Sequence, residues 1–269
     1  MAFAALAALL CFYGLLAYIL LPLTWKHYEH QRDLAGFTMV THTKVGIPGD
    51  PINVGLVGSR SDVLCAMNAA GWYPADPITF KSSLEIVGSV LLDRPYRDAP
   101  VSPLYYQNER EDFAFEQPVG TSADRRHHVR FWKVLERGEE GRAVWLGAAT
   151  FDRGVGISHD NGQITHHIRP DIDADRDLLT ADLREANVVT TIYGITGIGP
   201  TVDGRNGEGD PYYTDGEVKI SVLVEGCDQR SKTVAVLANP PLVQMKNLAW
   251  DTVAKRLLSG TAPAVQRAK

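Results

Sequence analysis

Histidine side chains are concentrated in the middle of this 269-residue chain. Five of the eight histidines fall between positions 127 and 167, interspersed with Arg and Asp. Imidazoles that converge with carboxylates can hold a divalent metal or move protons in acid–base catalysis. The candidate catalytic residues are His128, Arg130, Asp152 and His167, and the candidate metal ligands are His128, His159 and His167.

A divalent metal is therefore a candidate cofactor, but the alternative is a polar surface without a cofactor. Polar residues on a solvated sheet face, paired with Arg and Asp, need no metal. The sequence contains no HExxH and no other spacing that is specific to a metal class. Both interpretations stay open at the level of sequence.

A basic run and a glycine-rich loop supply the candidate ligand-binding residues. The run Arg125-Arg-His-His128 is basic, yet the net charge of −5 argues against nucleic acid and favours an anion or Asp/Glu neighbours as its partner. The range 197–216 reads as a long loop, which could bind a ligand or a cation, or serve only as turns. The candidates are Arg126, His127, Asp203, Asn206 and Asp210.

Several familiar sites are absent from the sequence. The glycines at 55–58 lack the Gly-Lys-Ser/Thr of a phosphate-binding loop, GxSxG does not occur, and there is no CxxC. Residues 171–182 begin like a calcium-binding loop, but Arg176 occupies the position that needs glycine and Asp182 the position of the last Glu. An acidic helix N-terminus explains this stretch better.

Strands must position the histidines. Residues 127–135 alternate, so that Val129 and Phe131 face one way while His128 and Arg130 face the other. After a turn at 137–141, residues 143–152 form a returning strand.

A hairpin should follow this strand, because Asn161-Gly162 favours a two-residue turn. That turn would set Ile157 opposite His166 and His159 opposite Ile164. His166 would then lie on an apolar face as a core histidine, with His167 on the other face.

The remaining pattern predicts more strands than helices. Further strands are expected over 51–58, 101–108, 112–117, 188–193, 216–224 and 233–237, and helices over 60–70, 80–92, 173–186 and 246–258. Ser59 is the expected N-cap of the first of these helices. Hairpin-like links between strands are typical of an α+β fold with a mainly antiparallel sheet and a few packing helices, here preceded by one transmembrane helix.

The N-terminus predicts a membrane anchor. Residues 2–24 carry no charge, and about 20 residues cross a bilayer core. Such a run is too long for a cleaved signal peptide, and no A-x-A site follows it. The expected organisation is a transmembrane anchor over 1–25, a juxtamembrane linker over 26–50, one globular domain over 51–258 and a disordered tail over 259–269.

The side of the membrane is less determined. Lys26 and Arg32 would hold the domain in the cytoplasm by the positive-inside rule. Bacterial proteins with one N-terminal anchor and a large C-terminal domain more often export that domain, so we favour the extracytoplasmic side. Cys65 and Cys227 could pair there, or could be ordinary buried thiols.

Several separate runs resemble the LssY C-terminal domain family of bacterial proteins. They are Gly49-Asp-Pro-Ile-Asn-Val-Gly-Leu-Val-Gly58, Ala70-Gly-Trp-Tyr-Pro-Ala-Asp-Pro77, Phe115-Glu-Gln-Pro-Val-Gly120, Arg126-His-His-Val-Arg-Phe-Trp132, Trp145-Leu-Gly-Ala-Ala-Thr-Phe-Asp-Arg153 and Ile164-Thr-His-His-Ile168. The likeness covers roughly residues 38–225. In some relatives the domain follows multi-pass segments of the DedA or lipid-phosphatase type. A single helix replaces those segments here, so the resemblance carries over neither their activity nor any catalytic residue.

Two functions are consistent with these features. The first is a membrane-anchored binding or accessory domain, which uses the bilayer as a partner and works beside a larger membrane protein or a membrane-proximal ligand. The rival is a hydrolase, with or without a metal, that acts on a phosphoester or lipid-derived substrate.

Overall fold

The N-terminal helix projects from the folded domain. The computed structural model describes residues 2–75, 103–120, 125–157 and 164–261. Helix α1 consists of Ala2–Leu15, a π-helical turn Leu16–Leu20 and a last turn Leu21–Thr24. Its 22-residue stretch Phe3–Thr24 has a mean hydropathy of 2.4 and is not buried within the protein. At 1.5 Å per residue the stretch is about 33 Å long, which is enough to cross a bilayer core.

The rest of the described chain is built mainly from strands. The strands are β1 Val40–His42, β2 Pro48–Pro51, β3 Val54–Val57, β4 Tyr73–Pro74, β5 Tyr105–Tyr106, β6 Glu109–Arg110, β7 Phe113–Pro118, β8 Arg126–Leu135, β9 Val144–Ile157, β10 Ile164–Ile168, β11 Val189–Thr196, β12 Thr201–Arg205, β13 Pro211–Thr214, β14 Glu217–Leu223 and β15 Ala235–Val236. The helices are α2 Arg60–Ala69, α3 Asp173–Glu185 and a C-terminal α4, made of Pro241–Ala249, a π-helical turn Trp250–Ala254 and Lys255–Thr261.

Within the described ranges these strands form one large sheet and two small ones. The large sheet has the order β15-β11-β14-β3-β9-β8-β7-β4, and β10 pairs with the far half of β9. Its pairs are antiparallel except for β14 with β3 and β11 with β15. A four-stranded sheet has the order β2-β1-β5-β6, and β12 pairs with β13. The prediction of an α+β fold with a mainly antiparallel sheet is confirmed.

Helices α2 and α3 cover one face of the large sheet. Val63 of α2 and Leu179 of α3 are buried against Val129 and Phe131, as the alternation along β8 predicts. Helix α2 begins at a capping box, in which Ser59 accepts the backbone N–H of Asp62 and the Asp62 carboxylate accepts that of Ser59. The predicted N-cap is therefore confirmed. The predicted helix over 80–92 lies outside the described residues.

The opposite face is covered by the segment that the sequence presents as a linker. Within 26–50 the chain forms a 3₁₀ turn at Arg32–Gly36 and strands β1 and β2. Leu34 and Met39 are buried there against Trp132 and Leu146 of the sheet. These residues belong to the folded domain, which differs from the predicted linker. Their strands are too short to show a periodic pattern, and so the sequence did not reveal them.

Two other local predictions are wrong. Ile157 pairs with Ile164, and His166 pairs with Val155, so the hairpin register differs by two residues from the one expected. A shift of two keeps each residue on its predicted side of the strand. The range 197–216 is not one irregular loop, because it contains the β12–β13 hairpin.

A disulfide joins helix α2 to the segment after β14. Cys65 on α2 and Cys227, after β14, form a disulfide with a Cα–Cα distance of 5.2 Å. The final helix begins at Pro241, five residues before the expected start. Most of the predicted tail, residues 262–269, lies outside the described residues.

Candidate functional site

The pairing of β7, β8 and β9 brings charged side chains onto one sheet face. Arg126 lies opposite Asp152, and His128 lies between Glu116 on β7 and Thr150 on β9. Arg130 is two residues further along β8 and therefore faces the same way. All six side chains are buried, and they lie on the same sheet face as Trp132 and Leu146.

Arg126 is held between two carboxylates. Its Nε donates to Asp152 Oδ2 at 3.1 Å, and an Nη donates to Glu116 Oε2 at 2.7 Å. Arg126 and Asp152 are each 2% exposed and Glu116 is fully buried. A buried ion pair persists only where its charges are matched by such partners. The three residues therefore form a fixed floor for the site.

His128 connects a hydroxyl to a carboxylate. Its Nε2 lies 2.7 Å from Thr150 Oγ1, and its Nδ1 lies 3.2 Å from Asp152 Oδ1. A tautomer with the proton on Nδ1 faces Asp152 and lets Nε2 accept the threonine hydroxyl. Burial alone would raise the pKa of Asp152, but contact with His128 and the charges of His166 and Arg126 outweigh it and lower that pKa well below its usual range.

The β1–β2 turn and the tip of the β12–β13 hairpin cover these side chains. Asp50 Oδ2 lies 3.5 Å from an Nη of Arg130, and Asp50 Oδ1 accepts from Asn206 Nδ2 at 3.2 Å. Asn206 Oδ1 in turn accepts the backbone N–H groups of Glu208 and Asp210. The Asn206 amide thus ties the hairpin tip to Asp50 on β2.

A small cleft of about 60 Å³ remains between the sheet and this cover. Its lining combines basic and acidic side chains with the apolar side chains of Leu104 and Ile168. The charged and imidazole groups on the lining are Asp50, Arg126, His128, Arg130, Asp152, His166 and Glu208. The positive charges here face acidic neighbours, which is one of the two partners that the sequence allowed for the basic run.

His127 points to the other face of the sheet, although it is adjacent to Arg126. Its Nδ1 lies 2.6 Å from Asp175 Oδ1 at the start of α3, and its ring packs 4.7 Å from that of Phe151. Arg169 also donates to Asp175 at 3.0 Å. Arg126 and His127 therefore cannot contact one ligand together.

His167 joins the site only indirectly. Its Nδ1 lies 2.8 Å from Asp210 Oδ1, and Asp210 Oδ2 accepts the backbone N–H of Ile168. Since the backbone of Asp210 is bonded to Asn206, His167 is connected to the cover of the cleft and is not on its lining. Asp203 is exposed on β12, away from the other candidates, and His159 lies outside the described residues.

The comparison with known families agrees with the motifs. A family model described as LssY C-terminus matches residues 30–218, which is more than half of the chain. The chain belongs to this family. No curated protein and no solved structure matches the chain.

The matched region of this LssY C-terminus protein contains the whole cleft. It also begins within the segment predicted as a linker, in agreement with the buried position of Leu34.

Two of the predicted metal ligands, His128 and His167, lie among the described residues of this LssY C-terminus domain, and they have different partners. Among the described residues no three His, Cys, Asp or Glu side chains form a group that could hold a metal ion. Both ring nitrogens of His128 face protein groups, and His167 is engaged with Asp210. The arrangement is that of a hydrogen-bonded polar network, which can bind or orient a small polar group.

Four charged or imidazole residues at the cleft, Glu116, Asp50, His166 and Glu208, were not among the sequence candidates. Glu116 alternates with Phe113 and Phe115, which marks it for the face of His128 once the β7–β8 pairing is known. Asp50 lies in the segment read as a linker, and no local signal distinguishes it. His166 has the expected strand direction, but it lies on the cleft rather than in an apolar core.

Proposed function

We propose that this chain is a single-pass bacterial membrane protein whose folded domain binds the polar group of a membrane-proximal ligand in the cleft. The observation that carries the proposal is the convergence of Arg126, His128, Arg130 and Asp152 on one buried, covered face. Lone polar side chains are expensive to bury, so such a set points to a defined role.

The cleft favours a group that offers both donors and acceptors. Arg130 supplies donors at a distance of 3.5 Å from Asp50, the outer limit of a hydrogen bond, so an anionic oxygen can replace Asp50 there. Asp50 and Glu208 supply acceptors on the opposite wall. A zwitterionic lipid headgroup such as phosphoethanolamine combines an anionic oxygen with an ammonium donor.

Co-purification tests the binding proposal directly. The full chain is extracted in mild detergent, and its bound small molecules are identified by native mass spectrometry. Arg130→Gln should lose the bound ligand, because it removes the cationic donors. Arg184→Gln, a matched change at an exposed arginine of α3, should retain it. A wild-type chain that carries no polar ligand would contradict the proposal.

We infer that the domain is extracytoplasmic. Disulfides persist in oxidising compartments, so the bond between Cys65 and Cys227 supports this side of the membrane. An alkaline-phosphatase fusion at the C-terminus tests it, because the enzyme is active only after export. An inactive fusion on a membrane-inserted chain would place the domain in the cytoplasm.

The accessory role rests on how closely the domain follows α1. The Thr196 hydroxyl donates to the carbonyl of Trp25 and accepts the N–H of His27 at 2.7 Å, so the domain is held at the end of the helix. A domain in this position can contact a larger membrane protein beside it. Purification in mild detergent should then recover a second membrane protein, and a chain that runs alone would count against this part.

A hydrolase is the second candidate, and the contact between Thr150, His128 and Asp152 favours it. A hydroxyl, an imidazole and a carboxylate in this order resemble an activated nucleophile with its base and orienting group. Thr150 is 1% exposed, and its partner His128 is on the cleft lining, so a substrate would reach this pair from the cleft. Turnover of p-nitrophenyl phosphate, assayed with and without Mn²⁺ and abolished by His128→Gln, would support this candidate over a binding role.

A further inference from the structure

Helix α4 carries a row of apolar side chains that face away from the domain. Five large residues of this helix are each more than half exposed: Leu242, Met245, Leu248, Val253 and Leu257. A contiguous apolar surface of this kind is unusual where a protein faces water, and it indicates a contact with lipid or protein.

The π-helical turn keeps these residues on one side. The spacing is three residues from Leu242 to Met245 and again to Leu248, which follows one side of an α-helix. The next step, to Val253, is five residues and would leave that side. The turn Trp250–Ala254 accommodates one extra residue, so Val253 and Leu257 return to the same side. We call these five residues the apolar stripe.

Contacts on the opposite side fix the rotation of α4. Val243 and Trp250 are buried against the domain. Lys246 donates to Glu217 Oε1 at 2.9 Å and to the carbonyl of Asp215 at 3.1 Å, while Lys255 lies 3.2 Å from Asp171. With these residues held inward, the apolar stripe must face outward.

The apolar stripe lies beside the end of the N-terminal helix. The last turn of α1, Leu21–Thr24, approaches the Pro241–Ala249 part of α4 to within 8 Å between Cα atoms. The next residue, Trp25, is bonded to Thr196 of the domain. The level at which α1 leaves a bilayer is therefore also the level of the Pro241–Ala249 part of α4.

A second exposed apolar surface lies near Trp25. Gly199 is adjacent to this side chain, since a Cβ at Gly199 would lie 3.8 Å from Trp25 Nε1. Ile198 and Val202 are exposed immediately around this glycine. Trp is enriched where a helix meets the membrane–water interface. The apolar stripe and these two residues are thus both close to the tryptophan at the end of α1.

We propose that the apolar stripe of α4 lies in the surface of the lipid bilayer as an interfacial helix and fixes the orientation of the domain. This inference rests on the proposed anchoring by α1. Amphipathic helices bury their apolar side about 5–10 Å into the boundary between headgroups and acyl chains. The bilayer is the occupant that continuity with α1 requires, because lipid surrounds the end of that helix on every open side. The cleft then stays at a fixed distance from the headgroups.

Spin labels on the full chain test the proposal. Met245→Cys and Leu257→Cys are prepared in a Cys11→Ala background, which leaves the disulfide intact, and are labelled in nanodiscs of phosphatidylethanolamine and phosphatidylglycerol. Collisions with oxygen report lipid, and collisions with a water-soluble nickel chelate report water. Both sites should favour oxygen several-fold over the control Glu185→Cys, which lies at the far end of α3, about 18 Å along its axis from the start near α4.

The outcomes separate this inference from the proposed anchor. If alkaline carbonate releases the chain from membranes, the anchor itself is wrong. If the chain is retained but both labels collide mainly with the nickel chelate, only the interfacial position of α4 is overturned. Labels that are shielded from both reagents would also overturn it, because a protein partner then covers the apolar stripe.

Discussion

Arg126 on β8 lies directly opposite Asp152 on β9, and its Nε donates to the Asp152 carboxylate at 3.1 Å in a fully buried pair. The same guanidinium also donates to Glu116. One cation is thus shared by two buried carboxylates. These contacts of Arg126 stabilise the cleft and set the charge that a ligand meets there.

Removal of Arg126 should strongly destabilise the fold. Arg126→Gln leaves Glu116 and Asp152 buried without their cation, and breaking a buried pair by removing one partner costs about 3–5 kcal/mol. Urea unfolding of the full chain in mild detergent measures the change. Arg184→Gln, at an exposed position, should shift the free energy of unfolding by less than about 0.5 kcal/mol. Equal stabilities of the two variants would show that Arg126 is not needed to balance these carboxylates.

The floor of the cleft follows from the sequence better than its cover. Strict alternation along β8 predicts that His128 and Arg130 share a face, because a strand has a period of two residues. Asp50 and Asn206 reach the same cleft from segments that are distant along the chain. Their approach depends on the pairing of very short strands, for which a local pattern carries no signal.

The hairpin after β9 shows the same limit. The register predicted from Asn161-Gly162 is wrong by two residues, since Ile157 pairs with Ile164. Each residue still lies on its predicted face of the strand, because a register shift of an even number of residues does not change the face. The cross-strand contacts do change with the register, so the neighbours of His166 could not be predicted.

Glu217 should make stability fall at acid pH. Burial alone would raise the pKa of Glu217, but contacts with His27 and Lys246 lower it to about 2. A carboxylate with a lowered folded-state pKa stabilises the fold above its unfolded pKa of about 4.3, and that contribution is lost as the pH falls toward 2. Glu217→Gln should therefore flatten the decline of the free energy of unfolding between about pH 4.5 and pH 2.

Urea titrations at several pH values measure this slope. The matched control is Glu185→Gln, since Glu185 is exposed at the end of α3 and should leave the wild-type slope in place. A Glu217→Gln chain whose stability declines as steeply as wild type over this range would show that the contacts with His27 and Lys246 do not favour the ionised form.

Gly216 should tolerate no side chain. It has a φ of +80°, and a Cβ there would lie 1.9 Å from the backbone carbon of Gly199, in the loop that packs against Trp25. Gly216→Ala should prevent folding or destabilise the domain by several kcal/mol, since backbone cannot move aside as a flexible side chain can. Gly46 has a similar φ of +85° but open space around it. Gly46→Ala should therefore lower the free energy of unfolding by only about 1–2 kcal/mol, which is the cost of a left-handed backbone conformation for alanine.

Thermal unfolding and expression level of the two glycine variants distinguish space from backbone conformation. The difference between them isolates the close approach of Gly216 to Gly199, because the φ values are nearly the same. If both variants are equally stable, the two loops are not in contact and the position of Trp25 against Gly199 is not fixed by this packing.

The disulfide should leave one of the three cysteines reactive. Cys11 lies in α1 and is free, whereas Cys65 and Cys227 are joined. Alkylation of the denatured, unreduced chain should add one adduct, and alkylation after reduction should add three, as counted by intact mass spectrometry. Three adducts without reduction would mean that the bond does not form in the cell.

The double variant Cys65→Ser with Cys227→Ser measures what the bond contributes to folding. The bond closes a loop over a sequence separation of 162 residues and ties helix α2 to the end of β14. Such a cross-link restricts the unfolded chain, and its removal typically lowers stability by about 2–4 kcal/mol. Urea unfolding should show this loss, while Cys11→Ser should leave the free energy of unfolding unchanged because Cys11 is exposed on α1. A double variant as stable as wild type would mean that packing between α2 and β14 alone holds these ends together.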